Sequence, residues 1–151
     1  MEKIKRTFHI LSYIQYPLLI LGLFLTIKPF FSGLDYLSSN PDYFFSIYNK
    51  ALILFGVALS FSTLQDSNKT SLKFEKKIYS NPKKGKFFIL LTMIVVLIFF
   101  IYGFIGYLGL FEKSNIIEEF SYGSIVMAIG LIGYLKMQIE IFSNLREDKK
   151  K

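Results

Sequence analysis

The side chains best placed to do chemistry in this sequence are Asp66, Lys136, Gln138 and Glu140. Lys136 and Glu140 are four positions apart, which puts them on one helix face and within pairing reach. Two carboxylates, an ammonium and an amide at one boundary of a membrane are the nearest thing this chain has to a site. The plainer reading is preferred, that these charges anchor helix ends, because all four lie near the ends of apolar segments and not at their centres. His9 is the one histidine, and at the mouth of the first apolar segment it could touch a quinone or a lipid headgroup. A wetted interfacial histidine explains it more simply.

Other chemistries are excluded by composition. The chain has no cysteine, so disulfides, thiolate metal sites and thiol redox mechanisms are out of reach. One histidine cannot build a multi-histidine metal centre or ligate a haem from both sides. Ser, His and Asp are present, but no nucleophile elbow, phosphate-binding glycine loop or HExxH helix is found. The GxxG spacings near Gly103, Gly106 and Gly109 follow no strand, so they read as packing signals and not as a dinucleotide fingerprint. No cofactor is expected.

The elements that must position these residues follow from the apolar content. Of 151 residues, 52% are hydrophobic and 18% aromatic, too much for one small soluble core and far from the composition of a disordered chain. A bilayer core of about 30 Å calls for about 20 apolar residues per spanning helix. Four segments qualify, at about residues 8–29, 47–65, 87–111 and 120–139, and 87–111 is free of Asp, Glu, Lys, Arg and His throughout. The basic residues ahead of the first segment give it some likeness to a secretory signal. A retained anchor fits better, because the apolar stretch is long, contains Gln15 and Pro17, and runs into Lys28-Pro29-Phe30-Phe31 in place of a small-residue cleavage site.

Charge sets the expected orientation. Lys and Arg in short loops stay on the cytoplasmic side. Lys3, Lys5 and Arg6, the seven lysines of the 66–86 loop, and Arg146 with Lys149, Lys150 and Lys151 would share one side of a four-span chain. That side then holds fourteen of the 18 basic residues. Both termini are therefore predicted to be cytoplasmic. An odd number of spans would divide the basic segments between the two faces. Tyr36, Tyr43, Tyr48, Tyr107 and Tyr122 fall at the expected outer boundary and Tyr13 and Tyr134 toward the inner one, where a ring with a polar tip is favoured.

Local signals add detail. Pro17 frees the carbonyl of Tyr13, so a kink is expected in the first helix. Residues 32–45, with Asn40-Pro41 inside them, read as a short segment on the outer surface, and Asp35 and Asp42 are candidate partners for Lys28 and Lys50. The second helix is expected to continue past the membrane to about Phe74. Gly56 with Ser60, Ala58 with Ser62, Ser124 with Ala128, and Gly123, Gly130 and Gly133 predict close helix packing within the chain. Thr26, Ser60, Ser62, Thr63 and Thr92 should satisfy their hydroxyls on their own helix backbone.

These observations predict an all-helical integral membrane protein, a four-helix transmembrane bundle forming one membrane domain over residues 1–151. The central turns hold no Asp, Glu, Arg or His, whereas proton-coupled transport normally needs an intramembrane titratable group. The function expected is non-enzymatic, that of an accessory or scaffold subunit acting through packing and through lipid or partner contacts. Membrane lipids, with anionic headgroups at the lysine loop, and a second copy or another membrane protein are the expected partners. Nucleic acid is not, since the basic charge comes with no recognition motif. A small oligomeric transporter or channel, with a pathway near Pro17, Ser60 and Ser62, is the alternative, and a lipid-modifying enzyme comes third. Lysine outnumbers arginine by 16 to 2, usage compatible with an AT-rich bacterial genome and hence an inner-membrane home.

Overall fold

A computed structural model describes residues 2–65, 73–109 and 115–145, with side chains except at 2, 34, 35, 73–75, 115 and 116. All regular structure among them is helical: α1 (Glu2–Ser12), α2 (Gln15–Ile27), a 3-10 turn (Lys28–Ser32), α3 (Leu34–Ser39), α4 (Pro41–Ser62), α5 (Lys73–Tyr79), α6 (Pro82–Tyr107) and α7 (Asn115–Leu145). Four stretches are long and apolar enough to cross a membrane, Lys3–Ser32, Pro41–Ser62, Pro82–Tyr107 and Ile117–Leu145. At 1.5 Å per residue, the 26 residues of α6 reach about 39 Å, more than a bilayer core requires.

The first span is interrupted where Pro17 directs. Proline offers no N–H to the Tyr13 carbonyl, and Tyr16 N–H takes its place at 3.1 Å in a tighter turn. Tyr13 and Ile14 donate to Ile10 and Leu11 in the same three-residue fashion, so α1 ends and α2 begins one turn ahead of the proline. A second proline shapes the other end. Pro29 has no N–H to close a 3-10 turn on the Thr26 carbonyl, and the Tyr48 hydroxyl of α4 donates to it at 3.1 Å.

The second span differs from expectation at both ends. Asn40-Pro41 does not only turn the chain: Pro41 occupies the first turn of α4, where its fixed φ suits a helix start, so α4 begins six residues ahead of position 47. Lys50 therefore lies in the third turn of the helix and not the first. At the far end α4 stops at Ser62 instead of running on to Phe74, and Leu64 and Gln65 donate to Phe61 and Ser62 in closing turns. Residues 32–45 do contain a short helix, α3, whose Tyr36 ring meets that of Tyr43 edge-on at 5.5 Å.

Small residues set how the spans meet. A Cβ at Gly130 would strike the carbonyl of Gly56, and one at Gly56 would strike that of Val126, so α4 and α7 approach to backbone contact. A Cβ at Gly103 would fall 2.7 Å from Ile125 Cγ1 and one at Gly106 2.8 Å from Ser121 Cβ, which brings α6 equally close to α7. Gly22 lies under the ring of Phe55. These registers make α2 antiparallel to α4, α4 parallel to α7, and α6 antiparallel to α7. The extensive packing runs in the order α2, α4, α7, α6. The expected bundle is thus a row of spans, not a ring in which α2 also packs extensively on α6.

The row gathers one end of the molecule. The start of α1, the end of α4, the beginning of α6 and the end of α7 all lie there, with the basic side chains Lys3, Lys5, Arg6, Lys76, Lys77, Lys83, Lys84 and Lys86 exposed. A compact apolar cluster closes this basic end: Ile78 and Tyr79 of α5 pack with Met137, Ile141 and Phe142 of α7, flanked by Phe88 and Ile89 of α6.

Candidate functional site

Of the residues singled out by the sequence, Lys136, Gln138 and Glu140 all lie on α7, and they do not share one face. Lys136 Nζ lies 3.7 Å from Glu140 Oε1, one turn apart on α7, with side chains 81% and 49% exposed. This is the one ion pair among the described residues. Gln138 sits between the two in sequence but about 200° from Lys136 around the helix, since each residue advances about 100°. Its side chain is 3% exposed, and its Oε1 is buried without a hydrogen-bond partner among the described residues. Asp66 lies outside the described residues. The geometry therefore gives a surface ion pair on one face and a lone buried amide on the other.

His9 stands in the last turn of α1. The Tyr13 hydroxyl lies 3.4 Å from its Nε2, the two rings meet edge-on, and Nδ1 is buried without a partner among the described residues. Lys28 and Lys50 are exposed, and neither pairs with Asp42; the Asp35 side chain lies outside the described residues.

The hydroxyls behave as helix chemistry requires. Thr26 donates to Leu23, Ser60 to Gly56, Ser62 to Leu59, Thr63 to Ser60 and Thr92 to Phe88, each a carbonyl three or four residues back. Ser121 and Ser124, fully buried on α7, likewise donate to Glu118 and Phe120. Their value to the fold is small volume at a helix interface, with the polar atom already satisfied.

Two polar contacts between helices carry more information. The Gly123 N–H donates to Asn49 Oδ1 at 2.8 Å, joining α7 to α4. The neighbouring Tyr48 turns the other way, to Thr26 of α2. Successive residues of α4 thus tie it to both neighbours at the level of the turn that Pro29 breaks. Sequence reasoning placed Tyr48 at an interface and passed over Asn49. An amide inside an apolar segment was the available signal, because hydrocarbon leaves such a group nothing to bond except another helix.

No protein-family model, curated protein or solved structure matches the chain.

Proposed function

We propose that this chain is a multi-pass membrane protein of the bacterial inner membrane, with both termini cytoplasmic, and that it serves as a non-enzymatic accessory or scaffold subunit. The observation that carries this reading is the row of spans. Each end helix packs extensively on one neighbour only, so α6 keeps Leu90, Ile94, Leu97, Ile98 and Ile101 exposed and α2 keeps Ile20, Leu23, Phe24 and Ile27 exposed. Side chains this apolar belong in hydrocarbon or against another apolar helix. The buried hydroxyls serve their own helices, and the Asn49 amide ties α4 to Gly123 of α7. The transport alternative draws on Ser60 and Ser62, and their engagement with their own helix favours the scaffold reading over it.

The test is site-specific photocrosslinking in native membranes from Ile98 on α6 and Ile20 on α2. A scaffold gives an adduct with one membrane protein of defined mass from at least one edge. Lipid adducts alone from both edges, or a catalytic activity of the purified protein that Glu140→Gln abolishes, contradict the reading.

A further inference from the structure

The basic end carries a patch that neither the fold nor helix packing requires. Lys76 and Lys77 on α5, and Lys83, Lys84 and Lys86 in the first turns of α6, are all exposed, and none has an ion-pair partner among the described residues. Their backbone is held in place. Ile78 and Tyr79 are buried against Met137, Ile141 and Phe142, which seats α5 on α7 immediately beyond the two lysines. Ser80 N–H donates to the Lys76 carbonyl at 2.9 Å, and Asn81 Oδ1 accepts the N–H groups of Lys83 and Lys84 at 3.0 and 3.2 Å, so the connection from α5 to α6 is a two-residue corner. Gly85 lies against the Phe142 ring and fixes the start of α6 on α7.

Five like charges on a fixed corner repel one another unless something supplies the opposite charge. Their position selects the source. Lys86 precedes Phe87, which is 61% exposed and opens the apolar surface of α6, so on the membrane reading the start of α6 falls where hydrocarbon gives way to headgroups. Lysine stems are long enough to lie along that apolar surface while the charge reaches the phosphates. A soluble acidic protein or a nucleic acid would need the patch to stand clear of the membrane.

We propose that Lys76, Lys77, Lys83, Lys84 and Lys86 form a docking platform for the phosphate headgroups of anionic phospholipids in the adjoining leaflet. The platform rests on the membrane reading given above and is independent of any protein companion. The test uses the full chain purified in an uncharged detergent, with phosphatidylglycerol as probe and phosphatidylcholine as control, read by lipid retention in native mass spectrometry. Each surface lysine contributes about fivefold to affinity for an anionic membrane before screening, so converting all five to glutamine should weaken phosphatidylglycerol retention about tenfold or more. Converting all five to arginine should preserve it, and phosphatidylcholine retention should not change in either variant. Equal retention of the two lipids by the native chain overturns the proposal, as does a glutamine variant that holds phosphatidylglycerol undiminished. Displacement of phosphatidylglycerol by a soluble polyglutamate peptide at matched charge also overturns it, and assigns the patch to an acidic protein instead. A C-terminal topology reporter that reads the same in native and glutamine chains separates lipid docking from a role in setting orientation. Failure of photocrosslinking at α2 and α6 leaves this outcome untouched.

Discussion

The Asn49 side-chain oxygen accepts the backbone N–H of Gly123 at 2.8 Å, and a Cβ at Gly123 would collide with that same oxygen. The glycine is thus what lets an amide on α4 reach the backbone of α7. Asn49→Leu keeps the approximate volume and removes the acceptor. Hydrogen bonds between spanning helices are worth about 0.6 kcal/mol on average and reach about 1.7. Thermal unfolding in detergent should show a loss in that range, and Gly123→Leu a larger one because the helices must separate. A neutral Gly123→Leu would mean that α4 and α7 do not approach as described.

At Gly130 the Cβ of any other residue meets the Gly56 carbonyl, a backbone atom that cannot move aside as a side chain can. Gly130→Val should therefore destabilise by about 1–3 kcal/mol or more, the usual cost of overpacking. Ile20→Val, on an exposed face of α2, should cost less than about 0.5 kcal/mol. Equal effects of the two would contradict the intrachain use of the glycine stripe.

Gln138 presents a buried Oε1 without a partner among the described residues, and a buried acceptor left unmade costs about 1–3 kcal/mol. Gln138→Leu should leave the unfolding temperature unchanged or raise it. A marked fall would show that the amide oxygen holds a partner in the folded protein, and it would reopen α7 as a binding element.

The cluster at the basic end depends on Phe142, which touches Gly85 and packs with Ile78, Tyr79 and Ile141. Truncating a buried phenylalanine costs about 3–5 kcal/mol in well-packed cores. Phe142→Ala should release α5, seen as faster hydrogen exchange at Ile78 and Tyr79 while the amides of α6 beyond Val96 keep their protection. Unchanged exchange at α5 would contradict the packing of α5 on α7.

The four long apolar helices were legible because apolar length is a one-dimensional property. Residues 87–107 needed no tertiary information to be read as a helix. Hydroxyl behaviour was legible for the same reason, since Ser60 and Thr92 find their acceptors within one turn. The start of α4 was not, because Asn-Pro serves equally as a loop turn and as the first step of a helix. The polar cluster could not be judged from sequence either. Lys136 and Gln138 are neighbours in sequence and lie on nearly opposite faces of α7, and which face is covered depends on where α4 and α6 pack.

A chain that crosses the bilayer four times keeps its basic segments together on one side. The native sequence contains no cysteine, so single cysteines report without background. Arg6→Cys, Lys84→Cys, Ser143→Cys and Phe31→Cys each place a thiol at an exposed position. With an impermeant maleimide on intact cells, Phe31→Cys should label, while the other three should label only after the membrane is opened. Labelling of Arg6→Cys and Lys84→Cys from opposite sides would contradict the four-span arrangement.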